Sequence, residues 1–160
     1  MDRKIRKYHN NLVVSGAGVI LFGVWGVIKT FIVAFYSTME DYNRFARESG
    51  NYILYKIVFI ITLLLFCAIE MGLRLYIGGN AILEGQGKRR KNKYIVFSIV
   101  YMILTIIEIL FLIFGNVSSV SSLELTVTCI MEISSFYVLL EMINSAIRVK
   151  MARRKAELGD

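Results

Sequence analysis

The 160-residue chain contains no proline, against a usual share near 5%. Proline kinks or stops a helix by removing an amide donor and clashing with the preceding turn. Carriers built on broken helices show Gly or Pro interruptions in corresponding segments of their two halves. Here the glycines of the first apolar run, Gly16, Gly18, Gly23 and Gly26, have no counterpart in the third. Straight helices in an up-down bundle are the simpler expectation.

Histidine and cysteine are almost as scarce. The one histidine, His9, lies in a basic N-terminal stretch, and the two cysteines, Cys67 and Cys129, lie inside apolar runs. A zinc site draws three or four ligands from these residue types, so no metal is expected. There is no CxxC pair and no disulfide framework. Gly85-Gln-Gly-Lys88 has the look of a phosphate loop, but Ile82 stands where that motif needs its first glycine and Arg89 where it needs Ser or Thr. No G-x-S-x-G or H-E-x-x-H occurs. No catalytic residue and no cofactor is expected, and the chain reads as a non-enzyme.

What is present is hydrophobicity. Apolar residues make up 56% of the chain, with a mean hydropathy of +0.60; soluble domains lie nearer 45–50%. The excess falls into four runs, at about 12–36, 52–77, 94–114 and 123–147. Crossing a bilayer takes about 20 such residues. The expected fold is an all-α integral membrane protein, a single membrane domain of four transmembrane helices. The first run is too long for the ~7–15-residue core of a signal peptide and is read as a retained span.

The net charge of +7 is carried by clusters that abut the runs: Arg3, Lys4, Arg6 and Lys7; Lys88 to Lys93; and Arg148, Lys150, Arg153, Arg154 and Lys155. That layout follows the positive-inside rule rather than a nucleic-acid footprint, so no nucleic acid is expected. It puts both termini and the central turn on the cytoplasmic side of the plasma membrane, N-in and C-in. Anionic headgroups there are expected partners, each basic residue near the surface adding about 1 kcal/mol. The segments 37–51 and 115–122 fall outside. Within the first, Thr38, Asp41, Glu40 and Arg44 support a short amphipathic surface helix at about 38–49.

Charge inside the runs is rare and therefore informative, since an ionisable group at mid-bilayer costs at least ~2.5 kcal/mol on insertion scales. Six residues qualify: Lys29, Glu70, Arg74, Glu108, Glu132 and Glu141. Lys29 and Glu108 sit at similar depth in the outer half with opposite charge, so they are expected to pair. Glu70 and Arg74, four apart on one face, form a second pair, with Glu141 beside them at the inner mouth. Glu132, flanked by Thr128 and Ser135, has no evident cation and is the leading candidate for a group that takes up and releases a proton. In the third run Ser98, Tyr101, Thr105 and Glu108 form one polar stripe. Gly16, Gly23 and Gly26 form a helix-packing face.

Two functions fit these features. One is a small, oligomeric channel or carrier for ions or small solutes, using the intramembrane carboxylates. The other is an accessory or scaffolding subunit that offers the glycine face to a partner membrane protein and the basic surface to lipid. The topology itself is testable: a reporter fused after Ser119 is expected to be active outside the cytoplasm, and one fused at Asp160 is not. The reverse pattern would invert every depth assigned above.

Overall fold

The computed structural model describes residues 3–33, 52–88, 92–114 and 122–158. These form four α-helices: α1 (Arg3–Val33), α2 (Tyr52–Gly85), α3 (Lys93–Phe114) and α4 (Ser122–Leu158). Among the described residues there is no strand. Each helix contains a stretch long and apolar enough to cross a membrane. The expected surface helix at 38–49, and the outer turn up to residue 121, lie outside the described residues.

Three of the helices overrun the apolar runs. α1 begins at Arg3 and α4 continues to Leu158, so the basic clusters are helical extensions rather than loose tails. α2 passes the expected end at Ile77 and continues through Gly85. Its stop is a Schellman motif: the Gly87 amide bonds the Glu84 carbonyl at 2.9 Å and the Lys88 amide the Leu83 carbonyl at 2.9 Å. Gly87 takes the left-handed conformation this cap requires, with φ of 80°. The turn thus begins at Gln86, directly after Gly85. Because the 34 residues of α2 span about 51 Å, Glu70 and Arg74 fall near its middle and not near its inner end.

The interior mixes polar and apolar side chains, and the outer faces of the helices are apolar. On α3 the buried residues are Tyr94, Ser98 and Thr105, while Val96, Val100 and Ile103 face outward. Ser98 donates to the Tyr94 carbonyl at 2.7 Å and Thr105 to the Tyr101 carbonyl at 3.1 Å. These two hydroxyls are thereby satisfied within their own helix, whereas the buried Tyr94 hydroxyl has no hydrogen-bond partner. Leu12, Val19, Ile77, Ala81, Tyr94, Leu139, Met142 and Ala146 form a packed core toward the end that carries the basic clusters, called the basic end below.

Small residues set the distances between helices. α1 packs most extensively on α2, next on α4, and makes no close approach to α3. A Cβ on Gly16 would stand 2.8 Å from the Gly78 carbonyl oxygen, and one on Gly23 2.8 Å from Cδ of Arg74. These are contacts of backbone with backbone and of backbone with a committed side chain, so neither has room to give. Gly72, by contrast, has nothing within 4 Å. Enlarging Gly16 to leucine is therefore expected to lower stability by about 1–3 kcal/mol, the usual cost of overpacking. Gly72→Ala is expected to be neutral or stabilising, since alanine is the better helix former. Thermal unfolding of both variants in one detergent tests this; equal midpoints would refute the packing described.

Candidate functional site: a charged cavity between the helices

Arg74 projects from α2 into the middle of the bundle, 4% exposed. Its Nη2 lies 3.3 Å from Oε1 of Glu70, one turn earlier on the same helix. Nε donates to the Tyr101 hydroxyl on α3 at 2.8 Å, and Nη1 donates to Ser135 Oγ on α4 at 3.1 Å. The guanidinium carbon also stands 4.9 Å from the centroid of the Tyr101 ring, within cation–π range. α1 completes the enclosure without a polar group. Gly23 lies against the arginine stem, and a Cβ on Gly26 would sit 2.7 Å from Glu70 Oε1. One side chain thus ties three helices together and requires glycine on the fourth.

This cluster is the floor of a cavity of about 830 Å³ that receives side chains from all four helices. Its lining includes Lys29 and Thr30 of α1, Glu70 and Arg74 of α2, Tyr101, Thr105 and Glu108 of α3, and Thr128 and Glu132 of α4. The remaining wall is apolar, with Phe66, Ile69, Leu104 and Phe111. Along α3 the cavity reaches from Tyr101 near mid-helix to Leu112, two residues from its end. It therefore occupies the half of the bundle away from the basic end. The gap exists because α1 and α3 stand on opposite corners and do not touch.

The cavity brings together five of the six charged residues singled out by the sequence: Lys29, Glu70, Arg74, Glu108 and Glu132. The expected Lys29–Glu108 ion pair is absent among the described residues. The two lie on α1 and α3, the helices that the cavity holds apart. Glu132 has a buried Oε2 with no hydrogen-bond partner. Glu141 is not in this group: it accepts a hydrogen bond from Asn11 Nδ2 at 3.1 Å. Ser135, the α4 partner of Arg74, lies six residues before Glu141, about 9 Å along the helix. Glu141 therefore stands nearer the basic end than the Arg74 cluster and does not line the cavity. Gly16, Gly23 and Gly26 all face α2.

A second polar cluster, unforeseen from the sequence, lies at the basic end. Glu84 is fully buried, and neither carboxylate oxygen has a hydrogen-bond partner. Its counter-charge is Lys150 of α4, with Nζ 3.7 Å from Oε2. Lys150 also donates to Asn92 Oδ1 and stands 5.4 Å from the centroid of the Tyr94 ring. Arg153 Nη2 donates to the Glu84 carbonyl at 3.3 Å, and His9 Nδ1 donates to the Gly85 carbonyl at 2.7 Å. All four helices or their flanks meet here, at the first turn of α3. A signal for Glu84 existed: Arg74, Ile77, Ala81 and Glu84 continue one helical face, and all four are buried.

Among the described residues no three His, Cys, Asp or Glu side chains are placed to hold a metal ion. Both cysteines are free thiols, Cys67 buried and Cys129 partly so. Comparison with family models, curated proteins and solved structures finds no match to this chain.

The basic-end cluster has a measurable consequence. Lys150→Met leaves the Glu84 carboxylate buried beside a weaker counter-charge, and breaking a buried pair from one side costs about 3–5 kcal/mol. Lys150→Met with Glu84→Leu removes the buried charge as well and is expected to regain most of that loss. Unfolding midpoints of the single and double variants decide it: a double variant no more stable than Lys150→Met would show that the pair is not a coupled unit.

Proposed function

We propose that the chain is a small, non-enzymatic membrane transport protein, a channel or carrier for ions or small solutes. It works as an up-down four-helix bundle in the plasma membrane, with both termini cytoplasmic and the charged cavity open toward the outside. The up-down order is supported by the contacts between neighbours. Residues 16, 23 and 26 of α1 meet 78, 74 and 70 of α2, and Phe97 and Tyr101 of α3 meet Tyr76 and Arg74 of α2. The orientation rests on the basic clusters gathering at one end.

The observation that carries the reading is that five intramembrane charges, on four different helices, line one cavity. A bundle that used these charges only for structure would pair them off, because an ionisable group at mid-bilayer costs at least ~2.5 kcal/mol. Instead Lys29 stays out of ion-pair reach of Glu108, and Glu132 keeps an unbonded buried oxygen. The scaffolding alternative loses its main support, since the glycine face it would offer to a partner helix is taken up by α2.

The test is flux across reconstituted vesicles at two pH values, wild type against Glu132→Gln. The variant keeps the shape and hydrogen-bonding capacity of the side chain, so the fold is expected to persist while pH-dependent flux disappears. Equal flux in both proteins, including none in either, would remove the role assigned to Glu132 and favour an accessory function.

A further inference from the structure

We infer that the cavity takes a monovalent organic cation with an apolar body. This rests on the transport reading above and names the ligand class of the same site. The argument begins with which charges are already committed. Arg74 and Glu70 neutralise each other at 3.3 Å, and the guanidinium has further partners in Tyr101 and Ser135. That leaves Lys29, Glu108 and Glu132 on the cavity wall, two carboxylates against one ammonium. No ion pair within 4.0 Å joins any of the three. Glu108 lies in the electrostatic field of Glu132 as well as of Lys29. Glu132 Oε2 is buried without a hydrogen bond. With both carboxylates ionised the uncommitted set is one negative charge in excess, and one of its oxygens lacks a partner.

The walls decide what kind of cation fits. A dehydrated divalent ion asks for six or more oxygen ligands, and here no three acidic, histidine or cysteine side chains converge among the described residues. The cavity wall that carries the carboxylates also includes Phe66, Ile69, Leu104 and Phe111. Apolar surface rewards an apolar ligand body at about 25 cal/mol per Å² buried. An anion would meet two carboxylates and one lysine, and a neutral solute would leave the excess charge unmatched in a low-dielectric wall. At about 830 Å³ the cavity lies within the usual range of small-molecule sites, about 300–1,000 Å³.

The test uses the full chain purified in detergent and two probes of the same shape and opposite charge, tetraphenylphosphonium and tetraphenylborate. Saturable equilibrium binding of the phosphonium is expected, with the borate at least about tenfold weaker; tenfold corresponds to about 1.4 kcal/mol. Glu108→Gln and Glu132→Gln are each expected to weaken phosphonium binding by a similar factor, and Lys29→Met to tighten it. The comparison of the two probes on the wild-type protein needs no variant to fold. No saturable phosphonium binding, borate binding as tightly, or affinity unchanged in both glutamine variants would each overturn the assignment. The two readings fail separately. Glu132-dependent flux of an inorganic ion, without phosphonium binding, would leave the transport function and remove the ligand class. Glutamate-dependent phosphonium binding, without Glu132-dependent flux in the vesicle assay above, would keep the ligand class and remove transport.

Discussion

The Arg74 guanidinium is the constraint on which the rest of the bundle depends. A guanidinium does not lose its proton at any physiological pH, so a buried one must be answered by geometry. Glu70 supplies the charge, Tyr101 and Ser135 supply acceptors, and the three lie on three different helices. Those bonds fix the rotation of α3 and α4 about their own axes and their height relative to α2. Once Tyr101 is turned inward, Ser98 and Thr105 must follow, because they lie one turn away on either side. The apolar side chains of α3 are then left for the outside. The polar stripe and the apolar outer face of α3 are therefore consequences of one another, with lipid as the solvent that makes the arrangement favourable.

The glycines of α1 complete that logic from the other side. A long side chain at Gly23 or Gly26 would push α1 away from the arginine stem and the Glu70 carboxylate. With glycine there, α1 settles against α2 along its whole length and against α4, at the expense of any approach to α3. The cavity is the space this asymmetry leaves. Toward the basic end the two diagonals close, because Leu12, Ile77, Ala81, Met142 and Ala146 fill the middle and α3 has only its first turns there. Glu84, Lys150, Tyr94 and Arg153 then lie at the level where α3 begins. A buried carboxylate is less costly there than at mid-bilayer, since the helices around it run on into water.

Much of this was legible in the residues. The four helices follow from run length alone, and the α3 stripe of Ser98, Tyr101, Thr105 and Glu108 follows from helical spacing. The packing face of Gly16, Gly23 and Gly26 and the closeness of Glu70 and Arg74 follow from the same spacing. What could not be read was depth. Hydropathy drops at Gly78, Gly79 and Asn80, and a ruler that stops there misplaces Arg74 and hides Glu84. A helix, however, ends where its carbonyls find a cap, and here that is Gly87, not the edge of the apolar run. The Lys29–Glu108 pairing failed for a different reason. Matching depth and opposite charge are necessary for an ion pair, but adjacency of the two helices is not encoded in either residue. It is set by the glycines of α1, which face α2.

On the transport reading, the same architecture limits how the protein can move. Without proline, and with regular hydrogen bonding through each described helix, bending within a helix is an expensive way to open the basic end. The contacts that close that end divide into two kinds. Between α1 and α2 they are backbone against backbone, as at Gly16 and Gly78, and they leave little freedom. Between α4 and the other helices they are apolar packing by Leu139, Met142 and Ala146 together with long side chains on polar groups: Lys150 on Glu84, Arg153 on the Glu84 carbonyl, Arg148 on Tyr8. Long flexible side chains can stay engaged while their helices shift, whereas interlocked glycines cannot. A rigid α1–α2 pair with α3 and α4 rocking against it is the motion these contacts permit. Its pivot would be the Arg74 cluster, the point where all four helices are held together and where the cavity ends.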